Sequence, residues 1–116
     1  MKPRSAKNKG VRLQNWIRDQ ILETYHTLES EDVRPAIMGE NGVDIKLTQK
    51  AKALFPFEIE AKNVQSINVW KSFDQAESNS GERQALLVIK KNRRAPLAVV
   101  DAEWLFENII KLNRSK

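Results

Sequence analysis

The sequence predicts an α/β domain, a mixed central β-sheet flanked by helices. Three observations carry the prediction. Apolar residues over about 10–29 recur with a period near 3.6, as on one side of a helix. Two segments of strand length follow, the alternating Phe57-Glu58-Ile59-Glu60-Ala61-Lys62 and the continuous apolar run Ala85-Leu86-Leu87-Val88-Ile89. Between these strands lies a second helical pattern, and the element order reads as one mixed sheet with helices on its faces.

In chain order, residues 1–9 are polar and basic and read as a flexible arm able to reach phosphates. Val11, Leu13, Trp16, Ile17, Ile21, Leu22, Tyr25 and Leu28 then occupy one broad sector of a helix from Gly10 to about Glu29. Val33 to Met38 and Val43 to Leu47, separated by Gly39-Glu40-Asn41-Gly42, read as a hairpin with Asp44 near its turn. Pro35 places the first of these strands at an edge or makes it irregular. Thr48 to Leu54 is a linker or short helical turn. After the strand Phe57–Lys62, Asn68 or Ser66 caps a helix to about Ser78 that sets Trp70, Phe73 and Ala76 toward the core. Ser78-Asn79-Ser80-Gly81-Glu82 reads as a loop. The run Ala85–Ile89 should be covered on both faces. A basic turn at 92–95 leads to a strand at Leu97–Val100. Asp101 caps a last helix with Leu105, Ile109 and Leu112 as its core face.

The 116 residues fit a single domain, 1–116, long enough for a core without staples. With no cysteine, disulfides, thiolate metal sites and cysteine catalysis are excluded. No apolar run approaches the ~20 residues of a membrane span, and no apolar segment follows the basic N-terminus as a secretory leader requires. The net charge is +5, with 20 Lys and Arg against 15 Asp and Glu, and the excess is local. Lys2, Arg4, Lys7, Lys9, Arg12 and Arg18 precede the first acid, and Lys90, Lys91, Arg93 and Arg94 form a second cluster. Such clusters attract a polyanion.

The chemistry concentrates on one strand and its upstream neighbour. Glu58, Glu60 and Lys62 share one face of Phe57–Lys62, and Asp44 lies in Gly42-Val43-Asp44-Ile45. A solvated strand face is the ordinary reading of such alternation. The other is a metal-dependent phosphodiesterase site. Magnesium, with manganese as a substitute, takes hard oxygen ligands. Asp44 and Glu60 supply two carboxylates and the main-chain carbonyl of Ala61 a third oxygen. Lys62 then sits beside the attacking water, as base or as a charge that steadies the transition state. Gln14 falls inside the apolar sector of the first helix, where its amide either meets water at the helix edge or points toward the acidic site from behind the metal ligands. Glu58 reads as a supporting or dimer-contact acid.

With these pieces the chain resembles the PD-(D/E)xK nuclease superfamily, and within it the small phage-encoded Holliday junction resolvases related to the archaeal ones. The resemblance rests on Lys7–Gln14, Asp32-Val33-Arg34, Met38–Ile45, Phe55–Asn63, Trp70, Gln75-Ala76-Glu77 and Leu87–Arg93, over about residues 7–101. It implies a restriction-endonuclease-like core, with Asp44 and Glu60 as metal-binding acids, Lys62 as the catalytic lysine and Gln75 near the site. It also implies a homodimer that nicks opposed strands of a four-way double-stranded DNA junction, with no small-molecule cofactor and no membrane partner. A cytoplasmic location follows, that of the host if the source is viral. The basic arm and Arg93-Arg94 become backbone contacts that position the DNA. Trp16, Trp70 and Trp104 are candidates for contacts between copies, and His26 reads as surface. The chain departs from the family pattern in carrying Val43 where the superfamily name has proline, and Gln14 where archaeal resolvases have glutamate. The alternatives are a nuclease for forks, flaps or mismatched duplex, and a basic DNA-binding protein without catalysis.

Overall fold

The computed structural model describes residues 3–113, with side chains from Asn8 onward. The elements are α1 (Pro3–Thr24), β1 (Val33–Pro35), β2 (Ile45–Leu47), α2 (Gln49–Leu54), β3 (Phe57–Asn63), α3 (Val69–Ser80), β4 (Gln84–Lys90), β5 (Leu97–Val99) and α4 (Ala102–Leu105). A π turn, Phe106–Ile110, and a 3-10 turn, Lys111–Asn113, continue α4. Among the described residues no helix is long and apolar enough to cross a membrane.

The predicted α/β class holds, but the strands form two sheets rather than one, a three-stranded mixed sheet in the order β3-β4-β5 and a two-stranded sheet of β1 and β2. β3 pairs in parallel with β4, with Glu60 opposite Leu87, and β4 pairs antiparallel with β5, with Val88 opposite Ala98. β1 and β2 pair antiparallel as the expected hairpin, Arg34 opposite Lys46, but the strands are shorter than the expected Val33–Met38 and Val43–Leu47, and Asp44 lies just before β2. The hairpin is joined to the edge of β3 by the Asp44 N–H, which donates to the Ile59 carbonyl at 2.9 Å.

Alternation along β3 divides the molecule into two layers. Ile59 and Val88 turn toward α1 and pack with Leu13, Ile17, Ile21, Val33 and Ile45. Each such fully buried aliphatic contributes about 1.5–3 kcal/mol. The opposite face, with Glu60 and Leu87, is roofed by α3, whose buried residues are Ala76 and Ser80. A chain of edge-to-face rings, Tyr25–Phe55–Phe57–Trp104, with centroids 6.4, 5.6 and 4.9 Å apart, ties the end of α1 to α4.

Local chemistry accounts for the boundaries. Thr48, Asn68 and Asp101 cap α2, α3 and α4, each side-chain oxygen accepting a main-chain N–H of the first turn. Gly81 ends α3 at φ 62°, where a side chain is strained.

Several expectations need correction. α1 starts at Pro3, within the stretch read as an arm, and stops at Thr24 rather than Glu29. Lys2 lies outside the described residues, as do the side chains of Arg4 and Lys7. α3 continues through Ser80, so Asn79 is helical rather than in a loop. Trp70, placed in the core by its apolarity, is 84% exposed. Ile109 and Leu112, expected to face the core, are exposed as well.

Candidate active site

Two hydrogen bonds bring Asp44 to β3. Besides its main-chain bond to Ile59, its Oδ2 accepts the N–H of Ala61 at 2.7 Å. Asp44 also extends the hairpin, since its carbonyl accepts the N–H of Ala36 at 2.8 Å. The aspartate is thereby held by its own main chain against the edge of β3 that faces the hairpin.

The strand geometry then gives the third oxygen. Peptide groups of alternate residues in a strand point to opposite edges. Glu58, Glu60 and Lys62 direct theirs toward the opposite edge, where β4 pairs. The Ile59 carbonyl and the Ala61 N–H both meet Asp44, so the Ala61 carbonyl points toward the aspartate's edge as well. The acids gathered here number two. Among the described residues no group of three or more His, Cys, Asp or Glu side chains is assembled for an ion, so a hard cation here would draw on the main-chain oxygen and on water.

Glu60 is 4% exposed. Burial raises its proton affinity first, and the negative charge of Asp44 raises it further. A hydrogen bond from Asn79 and the positive charge of Lys62 work in the opposite direction, while a carboxyl contact with Asp44 adds to the rise. Asn79 Nδ2 lies 3.4 Å from Glu60 Oε1. Lys62, one strand repeat beyond Glu60, is half-buried and forms part of a hollow of about 410 Å³ at the end of the sheet. The donor set suits magnesium or manganese, being two carboxylates and a carbonyl without nitrogen or sulfur. The mutual repulsion of Asp44 and Glu60 is the kind that a cation relieves.

Glu58 has a different setting. Its carboxylate pairs with Arg83, which also donates to the main-chain carbonyls of Lys52, Phe55 and Phe57. That arginine clamps the turn between α2 and β3, so Glu58 has a partner of its own.

The structure therefore brings Asp44, Glu60, Ala61 and Lys62 together. Gln75 is exposed on α3, one turn before Asn79, and it is Asn79 that reaches Glu60. Gln14 is half-buried on α1, which packs on the Ile59 face of β3, whereas Glu60 faces α3. Asn79 was missed because Ser-Asn-Ser-Gly has the composition of a loop. The available signal was its spacing of four from Gln75, which sets both on one helical stripe. Of the basic residues, Lys9 and Arg12 border a second hollow at the same end of the sheet, and Arg94 borders the hollow that includes Lys62. Arg93 is exposed in the adjoining turn, while Arg18 is engaged with Asp19 at 3.0 Å.

Comparisons of the chain with protein-family models, with curated proteins and with solved structures found no match.

Proposed function

We propose that this chain is a metal-dependent, structure-selective endonuclease with a restriction-endonuclease-like core, which hydrolyses phosphodiester bonds to resolve four-way DNA junctions by paired nicks. The observation that carries the proposal is the meeting of Asp44, from the hairpin, with Glu60 and the Ala61 peptide on β3, with Lys62 one strand repeat further.

In this reading Asp44, Glu60 and the Ala61 carbonyl hold a magnesium or manganese ion. The ion, when bound, polarises the phosphate and favours ionisation of a water beside it. The chain's own residues do the rest. The Ala61 N–H fixes the Asp44 carboxylate. Asn79 steadies one oxygen of Glu60 and, with Lys62, favours its ionised form. Lys62 places a positive charge next to the carboxylate pair, where it can orient a water and offset charge that builds on the phosphate. Basic side chains at the end of the sheet position the backbone of the DNA without reading bases. Two copies acting together would nick two strands, and the exposed Phe106, Ile109, Ile110 and Leu112 offer an apolar surface for joining them.

The test is a cleavage assay on a synthetic four-way junction beside linear duplex, with and without magnesium. Symmetric nicks near the branch point, lost in Asp44→Asn while junction binding persists, are the expected result. Equal cutting of linear duplex rejects the junction assignment, and binding without cleavage in either metal rejects the nuclease.

A further inference from the structure

Two hollows open at the end of the sheet where β3 and β4 finish, each of about 410 Å³. They lie on opposite faces. One is bordered on the α3 face by Lys62, Ser66, Lys91 and Arg94. The other is bordered on the α1 face by Lys9, Arg12, Asn63 and Asn92. The alternation of β3 confirms the sides, because Lys62 shares the face of Glu60, whereas Asn63 donates its amide to the Lys9 carbonyl of α1 at 3.0 Å.

Lys90 borders both hollows. Its ammonium donates to the carbonyls of Lys91 at 3.2 Å and Arg94 at 2.8 Å, so it closes the turn between β4 and β5 into a ridge. The Asn92 N–H fastens that ridge to Gln65 Oε1 at 2.7 Å. The ridge is thus braced within the turn and tied to the loop after β3.

Among the described residues no acid lines either hollow. Among the described residues the ion pairs are Arg18–Asp19, Arg34–Glu40, Lys50–Asp32, Arg83–Glu58 and Lys111–Glu107, and none of them uses Lys9, Arg12, Lys62, Lys90, Lys91 or Arg94. Five cations without an ion-pair partner among those residues, Lys9, Arg12, Lys90, Lys91 and Arg94, together with Lys62 beside Glu60, surround one sheet end and fit a chain of phosphates.

We infer that the two hollows hold the sugar-phosphate backbone of one branched DNA molecule, with one arm on each face of the sheet and the Lys90 ridge between the arms. The inference rests on the nuclease reading for the nature of the polyanion. It goes further in naming two separate phosphate sites and in giving a physical reason for shape selectivity. A straight duplex can fill both hollows only by bending around the ridge, which costs elastic energy. Arms that already diverge from a branch point reach both without that cost. Lys62, in the wall of the α3-side hollow, links the phosphates held there to the carboxylate pair.

The test measures binding without divalent ions, in an Asp44→Asn background, to a four-way junction and to a straight duplex of equal total length over a range of salt. Three variants are compared, Lys91→Ala with Arg94→Ala, Lys9→Ala with Arg12→Ala, and all four together. Each phosphate contact contributes about 0.9 to the slope of log K against log salt. On the junction each pair should therefore lower the slope by about 2, and the four together by about 4. On the duplex the fourfold variant should lose no more than the more damaging pair. A pair without effect on the junction, or equal additive losses on both DNAs, overturns the inference. Cleavage by the chain without these substitutions is read separately. The expected slopes without cleavage retain the two sites and reject the nuclease, and cleavage with the wrong slopes does the reverse.

Discussion

Glu58 and Glu60 stand two residues apart on one face of β3, and both are buried, 6% and 4% exposed. Their surroundings are opposite. Glu58 meets Arg83, which also donates to three carbonyls, so charge and hydrogen bonds are matched. Glu60 meets Asp44, a like charge, and has Asn79 at 3.4 Å as its hydrogen-bond donor. One glutamate is placed to hold the fold. The other is placed against its own electrostatic interest, and that is a mark of a binding site.

Neutralising each acid in turn separates the two glutamates most strongly. In the proposed nuclease Glu60→Gln should lower junction cleavage by about 10³-fold, equivalent to about 4 kcal/mol of transition-state stabilisation. Glu58→Gln should leave cleavage within about tenfold while lowering the denaturation midpoint. A reversal of the two would exchange their roles.

Stability should sort the pair the other way. Arg83→Ala leaves Glu58 buried without its cation and should cost about 3–5 kcal/mol in urea unfolding. Glu60→Gln should instead stabilise the metal-free chain, and its effect depends on pH. Because the folded carboxyl binds its proton more tightly than the unfolded one, whose ordinary value is 4.5, the folded state holds more protons as pH rises above that value. Stability therefore falls as pH climbs through the folded pKa, and the glutamine variant escapes the fall. Melting curves should agree near pH 4 and separate above it, with Glu60→Gln the higher.

Two smaller effects refine the contrast. Asn79→Ala removes the donor to Glu60, a long hydrogen bond at 3.4 Å, and should slow cleavage by about tenfold, equivalent to about 1.4 kcal/mol. Arg93 adopts φ 64°, which disfavours any residue with a side chain. Arg93→Gly should leave stability unchanged or raise it by up to about 1 kcal/mol while weakening DNA binding, so the two readouts move in opposite directions.

The sequence made the strands and the acidic face of β3 legible because alternation reports which residues share a side. It could not report what covers that side. Glu58 and Glu60 look alike in sequence, and Arg83, which separates them, gives no local signal because it acts across 25 residues. Helix ends were less legible. Asn79 has the composition of a turn, yet α3 runs to Gly81 because packing of Ala76 and Ser80 sustains the last turn. Trp70 and Leu112 show a further limit, since apolarity predicts burial against some surface and the surface need not belong to the same chain.

Asp44, Glu60 and the Ala61 carbonyl are proposed to form one cation site, and thermal melting with magnesium or manganese reads its occupancy. A cation that binds the folded chain raises its stability by RT ln(1 + [L]/Kd), about 2.7 kcal/mol at a hundredfold excess over Kd. The melting temperatures of the native chain and Glu58→Gln should rise with either metal, and those of Asp44→Asn and Glu60→Gln should stay fixed. An equal rise in all four, or none in the native chain, would contradict this assignment.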